Sequence, residues 1–323
     1  MLSFIIIGKN EEHNIKRCIN SVAEFINVNF IKFSEIIFVD SCSTDNTLQI
    51  VQNLNLASIY KICGEVNAAV ARNVGASFSK GNILFFIDGD MEIDPLFYNY
   101  AFQNGQLVYP FVSGQYLSHF YINGVYQSQS IYHSNKEDVY ETTTGGIFLI
   151  HRELWQNVGG MKNKYRRSQD IDLGLRLSKK GFKLFRLNKI IATHHTVSYY
   201  DKTRLWKDLF NYNQLYQKSV LYRDHFFNKH IYKFFLREIT LIVLFISICC
   251  SMILNNYWVL FIYMAFLFLK GIYKSNNGVS PNLFIRISYY FLLDLYTFFG
   301  LFFFWPINKK IFSVSQITTF NEL

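Results

Sequence analysis

The sequence predicts an α/β protein, a mostly parallel sheet flanked by helices, followed by a C-terminal α-helical membrane-associated region. Three observations carry this expectation. Apolar runs of strand length recur, and two of them stop at a polar loop that leads into a helical pattern. A third run, at 83–87, ends abruptly in Asp88-Gly89-Asp90. The last third of the chain holds long apolar segments with no polar face.

Residues 4–7 form the first run. Gly8-Lys9-Asn10-Glu11-Glu12 follows, and then Ile15, Cys18, Ile19 and Val22 recur at helical spacing. The second run is Ile36, Ile37, Phe38 and Val39, ending in Asp40. Its loop, 41–47, supplies Ser, Thr and Asp caps for a helix that carries Leu48 and Val51. Five apolar residues in a row at 83–87 read as a strand buried on both faces. In such sheets ligands bind outside the carboxyl ends of the strands, so Asp40, Asp88 and Asp90 are expected in one crevice. Positions i and i+2 of an extended segment point the same way, which aims Asp88 and Asp90 at one point. Gly89 between them lets backbone, metal and phosphate approach closely. One or two carboxylates, completed by substrate phosphates, are the usual seat of a hard divalent cation on a nucleoside diphosphate. An Asp-x-Asp triplet alone occurs often by chance, and a plain capping loop is the lesser alternative for 40–47 taken alone.

Further segments continue the series: Ala71-Arg72-Asn73-Val74-Gly75, Gly145-Gly146-Ile147-Phe148, Val158-Gly159-Gly160-Met161 and Ser168-Gln169-Asp170-Ile171-Asp172-Leu173. Together with 5–22, 39–47 and 86–90, in this order, they resemble the family-2 glycosyltransferases of the GT-A fold. The resemblance covers about the first 200 residues. It implies a transfer from a nucleotide-diphosphate sugar with inversion at the sugar carbon. Asp40 would hydrogen-bond the base, and Arg72 would lie near the diphosphate, where a guanidinium fork suits phosphate oxygens. Asn10, Glu11, Asp88, Gly145 and Gly146 would belong to the donor site. Asp88 and Asp90 would hold Mg²⁺ or Mn²⁺, with His194 and His195 as further candidate ligands. Asp170 would be the general base for the acceptor hydroxyl. Two positions depart from the family pattern. Gln169 stands where an acidic residue usually precedes the base, and Lys9 where an aromatic ring commonly stacks on the nucleotide. Asp172 reads as helix, either bonded back into the site or exposed.

The catalytic block is expected at 1–201. Residues 202–238 interleave aromatics such as Trp206, Tyr216 and Phe227 with basic residues such as Arg204, Lys218 and Arg223. Ahead of an apolar hairpin, that mixture suits anionic headgroups better than nucleic acid. Residues 239–274 are expected as a transmembrane hairpin turning at Asn255-Asn256. Its first helix is extended back past Arg237 and Glu238 to reach spanning length. A single long tilted helix is the alternative. Residues 283–305 form a third apolar helix, interfacial, re-entrant or spanning, with Arg286 and Asp294 inside it. Residues 306–323 are left as a tail. Lys270, Lys274, Lys309 and Lys310 conflict with a single crossing of the third helix if both loops are cytoplasmic. The region 97–141 carries many tyrosines and no readable motif, and packing is favoured over sugar stacking there.

Hydrophobic residues make up 50% of the chain and aromatics 18%, and the net charge is +9, which fits a membrane surface and a lipid-phosphate acceptor. No secretory signal is visible, because 2–7 is too short and lacks a basic leader. The catalytic block is therefore expected on the cytoplasmic face of a bacterial inner membrane. The five cysteines show neither metal spacing nor a disulfide framework. The expected function is addition of one sugar to a polyprenyl-diphosphate-linked glycan in surface polysaccharide synthesis. Transfer to a polyprenyl monophosphate is the close alternative. An inactive nucleotide- or glycan-binding membrane scaffold is the alternative from another class.

Overall fold

The computed structural model describes residues 1–132, 134–197, 216–273, 283–307 and 312–318. His133, most of the basic and aromatic stretch at 202–215, Lys274, Lys309 and Lys310 lie outside the described residues. The chain divides into two units. One holds 1–165, 169–197 and the C-terminal segment; the other runs from 198 to 307 with 166–168.

The first unit begins with β1 (Leu2–Gly8), α1 (Ile15–Val28), β2 (Ser34–Asp40), α2 (Thr47–Leu54), β3 (Ser58–Gly64), α3 (Ala68–Phe78) and β4 (Ile83–Asp88). It continues with β5 (Met91–Ile93), α4 (Phe97–Ala101), the short pair β6 (Phe102–Gln103) and β7 (Gln106–Leu107), and the long strands β8 (Phe111–Ile122) and β9 (Val125–Tyr132). Then come β10 (Val139–Glu141), β11 (Ile147–His151), α5 (Arg152–Asn157), α6 (Gln169–Lys179), β12 (Leu184–Val197) and β13 (Phe312–Thr318).

The sheet order is β10-β12-β8-β11-β4-β1-β2-β3-β13, with β5 on β12 and β9 on β8. Strands β3, β2, β1 and β4 are parallel, as expected from the strand–loop–helix repeat. Beyond β4 the sheet is mixed, because β11 returns antiparallel to β4. The side chains of β1 and β4 alternate between two cores. Phe4, Ile6, Phe85 and Ile87 pack against Ile15, Cys18, Val22 and Phe25 of α1. Ile5, Ile7, Leu84 and Phe86 pack with Val70, Ala71 and Val74 of α3. That burial on both faces is why the runs carry no polar alternation. Gly75 lets α3 lie on β1: a Cβ there would stand 2.3 Å from Ile5 Cγ2.

The second unit is helical. Its described helices are Gln217–Asp224, Tyr232–Arg237, Ile239–Leu254, Leu260–Tyr273 and Leu283–Phe303. The helix entering the hairpin does not extend back through Glu238 as expected. The chain bends there by 85°. Glu238 turns onto Lys218 and Lys270, and these ion pairs hold the bend. Asn255 ends the helix in the left-handed conformation, φ 49°, where the hairpin reading placed the turn. Leu283–Phe303 is long and apolar enough to cross a membrane. Its Arg286 and Asp294 are 5% and 2% exposed and face other helices. The segment read as a tail contains β13, which joins the edge of the first unit's sheet.

Candidate active site

The crevice forms at the carboxyl ends of β1, β2 and β4. A cleft of about 250 Å³ is lined there by Gly8, Glu11, Ser41, Asn67, Asp88 and Asp90, among others. Two loops are braced across it. Asn10, at φ 58°, accepts from Thr44 N at 2.9 Å and donates its backbone N–H to Ser43 Oγ at 2.9 Å. Glu11 N donates to Thr47 Oγ1 at 2.7 Å, and Glu12 N to Asp45 Oδ2 at 3.2 Å. The side-chain carbonyl of Asn10 is thus used to position the loop after β2.

Asp40 ends β2 and is fully buried. Its Oδ2 accepts from Ser43 N at 3.1 Å, while Oδ1 is buried without a partner. A buried acceptor left open is costly unless a ligand fills it.

Asp88 is the last residue of β4, and Gly89 and Asp90 form a turn after it. Arg72, 2% exposed on α3, donates from Nη2 to Asp88 Oδ1 at 2.6 Å. Asp90 Oδ2 meets His194 Nε2 at 3.0 Å, while Asp90 Oδ1 is buried without a partner. Glu11 shares the cleft. Burial and then the charge of Asp90 push Glu11 up to about 7. Burial, opposed by Arg72 and reinforced by Asp90, pushes Asp88 up to about 6. Burial works against protonation of His194, but the hydrogen bond and charge of Asp90 outweigh it and raise its pKa. Three carboxylates facing one another with an open oxygen fit a hard divalent cation. Asp88 and Asp90 would hold it, with His194 beside them. Among the described residues, no group of three or more His, Cys, Asp and Glu side chains forms a metal site from protein alone. The donor's phosphates would complete the shell.

His195 is placed elsewhere. Strand alternation turns it to the other face of β12, where Nε2 lies 2.8 Å from Glu92 and Nδ1 3.1 Å from Tyr121 OH. It is left out of the metal-binding set.

Gly145 and Gly146 link the acid pair to Asp170. Gly146 O accepts from Asp88 N at 3.1 Å, and a Cβ on Gly146 would lie 2.4 Å from Asp88 Oδ2. Gly145, at φ 73°, has its backbone beside Asp170, where it favours the charged carboxylate. Asp170 stands in the first turn of α6, where the helix dipole favours a carboxylate. Burial raises its pKa, opposed by the N–H groups of Ile171 and Gly145 and by the charge of Arg72. Asp172 is neither in the site nor exposed. It is fully buried and takes both Arg176 Nε and Nη2 on one oxygen, at 2.9 and 2.7 Å. Gln169, the departure before the base, has its Oε1 buried without a partner.

Sequence reasoning missed two features. Arg186 is fully buried on β12 and spends its guanidinium on the loop that carries the glycines. It donates to Glu141 Oε2, Gly114 O and Thr143 O, each at 2.7 Å, and to Thr144 O at 3.3 Å. The signal was an arginine inside the apolar strand 184–187. Tyr116 and Tyr132 stack at 4.4 Å, and both rings lie within 3.6 Å of a Cβ position on Gly145. Part of the motif-free region therefore borders the site.

An uncharacterized glycosyltransferase of Haemophilus influenzae is 26% identical over 211 residues, 61% of this chain and 69% of the relative. GalNAc-T7, solved with UDP, GalNAc and Mn²⁺, superposes with a TM-score of 0.51 at 14% identity, over 66% of this chain and 51% of that one. The S. aureus TarS fragment 1–349 with UDP matches with a TM-score of 0.47 at 20% identity, over 68% of this chain and 64% of that one. The chain thus spans less than two thirds of either solved structure. Residues 3–169 match the description of glycosyl transferase family 2, more than half of the chain, and with the GT-A sheet around this crevice the chain belongs to that family.

Proposed function

We propose that this glycosyltransferase is membrane-attached and inverting. It adds one sugar from a nucleotide-diphosphate donor to a polyprenyl-diphosphate-linked glycan in surface polysaccharide synthesis, at the cytoplasmic face of a bacterial inner membrane. The observation that supports the reading is the Gly145-Gly146 turn, with Gly146 against Asp88 and Gly145 beside Asp170.

The residues divide the work. The open Oδ1 of Asp40 is available to a base N–H of the nucleotide. Arg72 places positive charge between Asp88 and Asp170, beside a departing diphosphate. A bound Mg²⁺ or Mn²⁺ would neutralise the charge that develops on the leaving nucleoside diphosphate. Asp170 takes the acceptor hydroxyl proton onto a carboxylate oxygen as that hydroxyl attacks the sugar carbon. Attack from the face opposite the leaving group inverts the centre. Burial, by raising Asp170, makes it a better base than an exposed aspartate. Membrane attachment is supported by the apolar helices of the second unit, with Phe261, Phe268, Leu269 and Phe303 exposed on them.

The test is product analysis. Membranes containing the full chain are given radiolabelled nucleotide sugars and lipid acceptors. A labelled lipid-diphosphate glycan, lost in Asp170→Asn, is the expected product. A lipid-monophosphate sugar would replace the acceptor assignment. No transfer from any donor would favour the scaffold.

A further inference from the structure

We infer that the helical unit enters and leaves the bilayer by the same face, with no segment crossing it. The inference rests on the membrane attachment proposed above. Its starting point is β13. That strand pairs antiparallel with β3, from Phe312 opposite Gly64 to Thr318 opposite Ile59. A strand hydrogen-bonded into the catalytic sheet lies in the same compartment as that sheet. The chain leaves the sheet after Val197 and returns at Phe312. The number of crossings between these points is therefore even.

Helix lengths select among the even numbers. Ile239–Leu254 has 16 residues, and Leu260–Tyr273 has 14 with three more in the helical turn Tyr257–Val259 that runs into it. At 1.5 Å per residue they reach about 24 and 26 Å, short of a hydrocarbon core of about 30 Å. The 85° bend at Glu238 turns the preceding helix off the axis of the first, as in a re-entrant loop. Leu283–Phe303, with 21 residues, reaches about 32 Å. Alone it would cross once, which is odd. Any two crossings would need one of the short helices to span. Three crossings are odd again. The intervening sequences 198–215 and 274–282 contain no apolar run of spanning length.

The packing agrees with a unit that inserts as one body. Lys270 Nζ reaches Thr240 Oγ1 at 2.8 Å, so the first two helices run antiparallel. Gly271 lies against Leu283 and Ile287, while Tyr263 OH donates to Asp294 at 3.2 Å, so the second and third do as well. Lys270 of the second helix and Arg286 and Asp294 of the third turn into this bundle, with Glu238 just ahead of the first. The outer faces present Met252, Ile253, Phe261, Phe268 and Phe303, and Tyr257, Trp258 and Trp305 supply aromatic side chains of the headgroup type. Acyl chains of one leaflet are the occupant that fits this surface.

The experiment uses the full chain with a protease-cleavable tag before Met1 and another after Leu323, in sealed vesicles of either orientation. Both tags are expected to be cut from the same side. In a second measurement, Asn255→Cys, at the hairpin turn, is treated with a membrane-impermeant maleimide. It should gain no label over wild type from the side opposite the tags. Tags cut from opposite sides, or labelling of Asn255→Cys from the far side, would overturn the inference while leaving membrane attachment intact. A chain recovered in the soluble fraction would overturn the attachment itself, and the inference with it.

Discussion

In the catalytic sheet Glu11, Asp88 and Asp90 face one another, with Arg72 and His194 set against them, and Asp40 and Asp90 each keep a buried oxygen open. In the helical unit Glu238 lies between Lys218 and Lys270, Lys270 bonds Thr240, and Asp294 bonds Tyr263. Both regions bury charge, but the first groups three carboxylates around open oxygens, whereas the second sets a cation or a hydroxyl against each carboxylate. Packing has no use for the first arrangement, because each buried carboxylate raises the cost of the next. A bound cation and a diphosphate's own counter-charges relieve it. Unrelieved charge therefore marks the place where a ligand binds, and mutually paired charge marks the place where helices meet.

Asp170→Asn strikes the catalytic side of this contrast hardest. Transfer should fall by ~10³-fold, the order expected for loss of a general base, with nucleotide binding retained in a calorimetric titration. Equal losses of binding and turnover would make Asp170 a structural residue. Gly146→Ala comes next. Its Cβ would meet Asp88 Oδ2 at 2.4 Å and Met91 Cε at 2.9 Å. Displacing the carboxylate should raise the donor KM by about 10-fold or more, in line with mutations that disturb a metal ligand's support. Asp172→Ala probes the paired kind of charge within the same unit. It leaves Arg176 without its buried partner and should cost about 3–5 kcal/mol in denaturant unfolding. The folded fraction should keep its KM.

Changing pH separates the two kinds of site more gently. Glu11 and Asp88 are raised to about 7 and about 6. A group whose pKa is raised by folding stabilises the fold while protonated and loses that contribution as pH climbs through the folded value. Metal-free protein should therefore lose stability between pH 5 and about 7, whereas Mn²⁺ affinity should rise over the same window as protons leave. Melting curves with and without Mn²⁺ would show the two trends diverging. The smallest effect is expected from Ser313→Cys in a Cys42→Ala background, which removes the thiol 3.0 Å from Cys63 Sγ and puts another directly opposite Cys63 in the β13–β3 pair. Antiparallel partners stand about 4.5–5.5 Å apart at Cα, within disulfide range. Mild oxidation should give an internal cross-link without changing turnover. No cross-link would remove the strand pairing on which the membrane topology rests.

What the sequence made legible follows the same division. β1, β2 and β4 could be read because both faces of each are buried, so their residues form unbroken apolar runs. Asp40, Asp88 and Asp90 could be read because carboxylates at the ends of such runs have little other reason to be there. Arg186 could not be placed, since its value lies in carbonyls at 114, 143 and 144, far away in the chain. The separation of His194 from His195 needed the pairing of β12 with β8 and β5, which fixes the face each histidine takes. Glu238 looked like an interruption to be absorbed into a helix; its partners Lys218 and Lys270 make it the bend. β13 is an edge strand, exposed along most of its length, and its pairing is set by a partner some 250 residues earlier. Nothing local in 306–323 announces that partner.

We propose that the unrelieved acid cluster is a metal-dependent nucleotide site. Calorimetric titration of UDP, GDP and dTDP, with and without Mn²⁺, into wild type and Asp90→Ala tests it most directly. One nucleotide should bind in the presence of Mn²⁺, and Asp90→Ala should abolish this binding while the protein stays folded. Equal binding with and without the metal, or binding unchanged in Asp90→Ala, would contradict it.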